Sequence, residues 1–158
     1  MATITAQLTV SSDITDYGLA INKTMTMSKA GATTGLDRTS GVQRVYLANL
    51  NHVDLIKGGL ANTSVEDMTL SASAKVYIKY LEDDTAKFVR IGLGNAADGT
   101  TQTANNGDAT FFEMGRLYGN EWMIIPWSGA SNVGDITVQP SVATAADKAI
   151  VEYIVFFE

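Results

Sequence analysis

Ala149-Ile-Val-Glu-Tyr-Ile-Val-Phe-Phe157 is apolar on both faces if it is a strand. Val151, Tyr153, Val155 and Phe157 point one way, Ile150, Ile154 and Phe156 the other, and Glu152 is the only charge. A strand with one wetted face alternates apolar and polar residues; this one does not. Exposed at a sheet edge it would be an aggregation template. Each Val, Ile or Phe left wet also forgoes roughly 1.5–3 kcal/mol of burial. Both faces therefore need cover, from the middle of a two-layer sandwich or from a neighbouring subunit. The stretch points to a β-protein that assembles.

The rest of the chain reads as strands too. Leu70 to Leu81 is the best patterned: Leu70, Ala72, Ala74, Val76, Ile78 and Tyr80 alternate with Ser71, Ser73, Lys75, Tyr77 and Lys79. The charged turn Glu82-Asp83-Asp84-Thr85 leads into Lys87–Leu93, which predicts a hairpin. Thr3–Val10 alternates cleanly, and Ala20–Met27 offers Ile21, Met25 and Met27 as an inward row that Lys23 interrupts. Further strands are predicted at Val42–Leu47, Val53–Ile56, Ala109–Met114, Glu121–Trp127 and Asp135–Val138. Pro126 has no N–H for a ladder, so its strand belongs at an edge or ends there. Ala30–Gly41 and Gly94–Asp108 are small and polar, the first a loop or extended arm. Val65–Leu70 and Val142–Lys148 make single helical turns at most. Nine or ten short strands separated by turn residues predict an all-β fold: an antiparallel β-sandwich or jelly roll with an N-terminal strand and extended arm. Residues 1–41 form the strands and arm and 42–158 the body, together one structural unit.

Composition excludes several function classes. A chain of 158 residues suits one domain burying about 70% of its unfolded surface. With no Cys there is no disulfide and no thiolate metal site. The net charge of −6, with eleven basic residues scattered singly, argues against nucleic acid as a partner. No apolar run approaches the ~20 residues of a membrane-spanning helix, and no membrane partner is expected. The start lacks the basic and apolar regions of a signal peptide, so assembly in a cytoplasm is expected.

Candidate chemistry is sparse. His52 is the only histidine, and no second ligand stands at metal spacing from it. Gly92-Leu-Gly94-Asn-Ala-Ala97 mimics a dinucleotide fingerprint, but the polar run after it is not the helix the pyrophosphate needs. Glu82-Asp83-Asp84, and separately Asn95, Asp98, Asn105, Asn106 and Asp108, offer oxygen ligands without EF-hand spacing, and read more simply as solvated turns. No carboxylate pair, Ser–His–Asp set or phosphate loop stands out. No catalytic residue, metal or cofactor is expected, and the chain does not read as an enzyme. Trp122 and Trp127, with Tyr118, would make a stacking platform for a sugar. The simpler role for these aromatics is core packing or an intersubunit contact.

Several phrases carry a resemblance. Ala2-Thr-Ile-Thr-Ala-Gln-Leu-Thr-Val10, Lys29-Ala-Gly-Ala-Thr-Thr-Gly-Leu-Asp37, Lys75-Val-Tyr-Ile-Lys79, Asn120-Glu-Trp-Met-Ile-Ile-Pro-Trp127 and Ala149–Phe157 resemble small virion proteins of tailed bacteriophages. The likeness covers most of the layout, apart from Leu50–Thr69, and rests on phrases rather than an invariant motif. It implies a structural protein of the virion, of the capsid decoration (cement) type, placed on the outer surface of the major capsid protein, commonly as a homotrimer. Its partners would be the major capsid protein and further copies of itself. The arm suits clasping a neighbour by strand addition, and the interface is expected to include Ile150, Ile154, Phe156, Phe157, Trp127, Leu36 and Ile4. The alternative is a carbohydrate- or receptor-binding β-sandwich of a tail, collar or head fibre, using Trp122, Trp127 and Tyr118.

Overall fold

The computed structural model describes residues 4–12, 19–27, 36, 38–47, 51–56, 74–94, 102–103, 111–128, 135–141 and 149–157. Among these the regular elements are strands alone: β1 (Thr5–Ser12), β2 (Leu19–Thr26), β3 (Arg38–Thr39), β4 (Gln43–Leu47), β5 (Asn51–Ile56), β6 (Ala74–Tyr80), β7 (Phe88–Gly94), β8 (Gln102–Thr103), β9 (Phe112–Tyr118), β10 (Trp122–Trp127), β11 (Asp135–Pro140) and β12 (Ala149–Phe157). The predicted turns at Val65–Leu70 and Val142–Lys148 and most of the Ala30–Gly41 arm lie outside the described residues; so does the predicted Gly94–Asp108 loop, except that Gly94 ends β7 and Gln102–Thr103 form the short strand β8.

Two antiparallel sheets make a sandwich. One is ordered β10-β6-β12, with β4 and then β3 along the far side of β12; the other is ordered β8-β5-β11-β7-β9. The alternation read from the sequence becomes burial. Ala74, Val76, Ile78 and Tyr80 of β6 and Val151, Tyr153, Val155 and Phe157 of β12 pack against Leu55, Ile56, Val89, Ile91, Ile136 and Val138 of the opposite sheet. β12 is thus an interior strand, and its inner face is sealed by the second layer.

The Leu70–Leu93 hairpin is corrected. β6 is bracketed by β10 and β12 and β7 by β11 and β9, so the two strands belong to different sheets. The charged turn carries the chain between layers. Sequence proximity favours local pairing, but both sides of β6 are taken by β10 and β12.

Among the described residues the sandwich edges carry features that discourage further pairing. β10 carries Pro126, and β8 is two residues long. The β7–β9 ladder shifts register between Ile91 and Gly92, where a Cβ on Gly92 would stand 2.6 Å from the Phe111 ring. Between β3 and β4 the chain kinks at Ser40-Gly41, with Gly41 at φ 67°. There the Ser40 side-chain oxygen accepts from the Val155 N–H at 2.9 Å, and the Ser40 N–H donates to the Val155 carbonyl at 2.9 Å. The kink thus keeps the β12 backbone satisfied while ending the ladder.

The β9–β10 turn returns over the layer crossing, so Gly119 has no room for a side chain. A Cβ there would lie 2.5 Å from the Glu82 carbonyl and 2.9 Å from that of Asp84. Gly119→Ala is expected to destabilise the fold by about 1–3 kcal/mol, read by urea unfolding.

Tyr80 is fully buried, and its hydroxyl has no hydrogen-bond partner among the described residues. Burial first, then the nearby charges of Glu82 and Asp84, push its pKa up to about 12 from 10.0. An unfolded tyrosine ionises near 10 while the folded one holds its proton, so stability falls as pH rises from about 10 to 12. Tyr80→Phe removes the orphaned hydroxyl. It is expected to melt at or above the wild-type temperature at pH 7 and to lose less stability above pH 10.

Candidate functional site

The outer face of the β10-β6-β12-β4 sheet is the most distinctive surface of the molecule. Directly paired residues share a face, so the register places Trp122, Lys79, Glu152 and Arg44 in one row and Ile124, Tyr77 and Ile154 in the next. Pro126, Lys75 and Phe156 follow in a third. Arg44 clamps Glu152: its Nη2 and Nε approach the same carboxylate oxygen at 2.8 and 2.9 Å. Tyr77 and Trp122 lie 6.1 Å apart with rings tilted by 34°. Burial, and then the Glu152 charge, raise the Tyr77 pKa.

Over this face stands the root of the β1–β2 hairpin. Met27 donates its N–H to the Ile4 carbonyl and accepts from the Leu36 N–H, both at 2.9 Å. Met27 and Leu36 are thereby buried. Between hairpin and sheet lies an open hollow of about 370 Å³, lined by Ile4, Ala6 and Met27 above and by Tyr77, Trp122, Ile124, Ile154 and Phe156 below. Among the described residues Glu152 is the only charged one lining it.

Beyond its root the hairpin pairs with neither sandwich sheet. Its register sorts side chains into a polar face of Thr5, Thr26, Gln7, Thr24, Thr9 and Asn22 and a mainly apolar one of Ala6, Met25, Leu8, Val10 and Ile21 that Lys23 interrupts. The apolar row is open to solvent, Leu8 at 48% and Met25 at 45%. Expected as an inward row, Ile21 and Met25 are outward in the single chain; only Met27 is covered. An isolated two-stranded hairpin is marginal in water, and a row of exposed apolar side chains marks an interaction surface.

The opposite outer face is polar and self-satisfied. Thr137 donates to Asp54 at 2.8 Å, and Arg90 donates to Gln139 at 3.1 Å. Glu113 lies between Arg116 at 2.7 Å and Arg90 at 3.5 Å, and this bond to Glu113 is the main cause of a raised Arg116 pKa. The Arg116 guanidinium also sits 4.7 Å over the Phe88 ring. In the acidic turn, Asp84 accepts from the Ala86 N–H at 2.9 Å, Asp83 from Asn120 at 3.1 Å, and Lys87 lies 3.9 Å from Glu82. These carboxylates serve the turn. Among the described residues no three His, Asp or Glu side chains gather as a metal site would require. His52 pairs through its backbone with Gln102; the ligand group Asn95–Asp108 lies outside the described residues.

The structure divides the residues singled out from sequence. Ile4, Ile154 and Phe156 meet at the hollow, and Ile150 is half-buried on the same outer face. Phe157, Trp127 and Leu36 are buried within the single chain and offer nothing to a neighbour. Trp127 is only 6% exposed, so it cannot stack on a sugar; Trp122 is 49% exposed on the opposite side of β10, and Tyr118 is exposed on β9. Trp127→Ala is expected to cost about 3–5 kcal/mol in denaturant unfolding and Trp122→Ala less than about 1. Sequence reasoning missed Tyr77 and Ile124, whose place at the hollow depends on which strands flank β6. It also missed Leu8 and Met25: their alternation was plain, but not which side would stay wet.

No protein-family model matches the chain, and no curated protein is significantly similar to it.

Proposed function

We propose that this chain is an assembling structural protein: a bacteriophage virion component of the capsid decoration type that binds the outer surface of the major capsid protein. The observation that carries the reading is the hairpin arm, whose apolar row is exposed in the single chain. Such a molecule is suited to associate through its arm. The strand orders support a jelly roll: β4-β12-β6-β10 against β5-β11-β7-β9 gives the two four-stranded sheets of an eight-strand roll. That fold is frequent in viral shells and also in lectins, so it supports the reading only by analogy. The phrases that resemble small virion proteins add to it. The working form is a closed homo-oligomer, a homotrimer in the first instance, located on the virion.

Purified protein added to undecorated heads of the phage that encodes it should co-sediment at a fixed stoichiometry and raise the temperature at which the heads disrupt. A chain that stays in the supernatant and is missing from purified virions by mass spectrometry overturns the proposal.

A second reading has one observation in its favour. Trp122 and Tyr77 offer half-exposed rings beside the Glu152 carboxylate, the chemistry that holds a saccharide. Micromolar binding on a glycan array, lost in Trp122→Ala with an unchanged melting temperature, selects this reading over assembly.

A further inference from the structure

The outer face of the β10-β6-β12-β4 sheet departs from the charge of the chain as a whole. The sequence carries a net charge of −6, yet the register gathers Lys75, Lys79 and Arg44 on this face against one carboxylate among its paired residues, that of Glu152. Arg44 clamps Glu152 at 2.8 and 2.9 Å, which balances the carboxylate and leaves the two lysines in excess. Among the described residues neither lysine has a carboxylate within ion-pair distance. Their placement is ordered. Lys75, Tyr77 and Lys79 alternate along one face of β6, so a lysine stands about 7 Å along the strand on either side of Tyr77. Lys79 is directly paired with Trp122, which sets those two side chains next to each other. All three β6 side chains are half-buried, with the lysine stems along the sheet and the ammoniums toward water. The Tyr77 and Trp122 rings, 6.1 Å apart and tilted by 34°, border the open hollow.

We propose that this face binds an acidic saccharide: a sugar ring on Trp122 and Tyr77, its carboxylate or sulfate on Lys79, and its hydroxyls donating to Glu152. Lys75 is the second cation, for the next acidic unit of a longer chain. The inference rests on the saccharide reading and adds the charge of the ligand to it. Exposed aromatic rings supply the apolar platform on which a sugar ring stacks, and Glu152, pinned by Arg44, is an acceptor already in place for hydroxyl groups. A neutral sugar would leave both ammoniums unused, whereas an anion on Lys79 makes the stronger, charge-assisted kind of hydrogen bond. An acidic peptide suits the lysines but brings carboxylates rather than hydroxyls to Glu152, and is repelled there.

The full-length protein is applied to an array of uronate-, sialate- and sulfate-bearing glycans, each beside the same glycan with its acid esterified or removed. The expected result is binding to the acidic members alone. Lys79→Gln should weaken it about tenfold, the loss of one charge-assisted hydrogen bond, and Lys79→Arg should retain it. Trp122→Ala should lose binding altogether, with the melting temperature at the wild-type value in all three variants. Equal binding of acidic glycans and their neutral counterparts overturns this inference but leaves the saccharide reading standing. So does acidic binding undiminished in Lys79→Gln. Binding of poly-glutamate as tight as that of the acidic glycans, and indifferent to Trp122→Ala, also overturns it and makes the face a docking surface for an acidic protein. An array on which no glycan is bound ends both the inference and the reading beneath it.

Discussion

Val155→Asp is expected to abolish the fold at neutral pH. Val155 is fully buried in the middle of β12, opposite Val76, with its N–H and carbonyl both committed to Ser40. The substitution removes a packed side chain and places a carboxylate where water does not reach. An unpaired charge in such a place costs several kcal/mol, against a total stability of about 5–15 kcal/mol for a domain of this kind. The buried carboxyl would hold its proton well above the ordinary range. Its folded pKa is therefore raised, so whatever stability remains is present at low pH and is lost as pH rises. Soluble yield and circular dichroism at pH 8 and pH 4 check both parts: little folded protein at pH 8, more at pH 4. A cooperative wild-type melt at pH 8 would mean that β12 does not face the core as described.

The adjacent substitution should behave in the opposite way. Ile154 points to the outer face, half-buried, where it lines the hollow with Tyr77, Ile124 and Phe156. Ile154→Asp leaves the inner layer intact and is expected to cost about 1–2 kcal/mol. It should nevertheless abolish association, because the new charge sits beside Glu152 in the surface that the partner must dry. The result that supports this is a folded monomer by light scattering, with a melt within about 10 °C of wild type. Undiminished association would remove the hollow from the interface. Taken together, the two variants separate the faces of one strand: unfolding from the first, loss of assembly from the second.

Much of the fold was legible because period-two patterning is local. Ala74 to Tyr80 and Ala149 to Phe157 announce strands and their inward faces without any tertiary information, and Pro126 announces an edge. What failed was pairing. Glu82–Lys87 reads as a hairpin turn, and the acidic residues do build a turn there, but whether a turn returns to the same sheet depends on which distant strands claim the ladders on either side. The β1–β2 hairpin failed differently. Its two faces were correctly divided, yet Met25 and Met27 carry similar patterns and opposite fates, 45% and 2% exposed. Met27 alone is tied to Ile4 and Leu36 over the body.

The candidate site was half legible for the same reason. Ile4, Ile154 and Phe156 stood out because apolar residues beyond those a single sheet face needs must find cover. Trp127 and Trp122 could not be told apart, because five residues along a strand reverses the face, and only the neighbouring layer says which face is the core. By itself, the sequence determined an antiparallel β-fold with a terminal strand requiring cover on both sides, since alternation, turn chemistry and the cost of wet apolar surface act over a few residues. Tertiary structure alone decided that β12 lies between β6 and β4, that Trp127 and Phe157 serve the core, and that an apolar arm remains uncovered over a hollow. Those outcomes follow from pairings between segments as distant as Arg38 and Phe157, whose competition is resolved only when all the strands are in place.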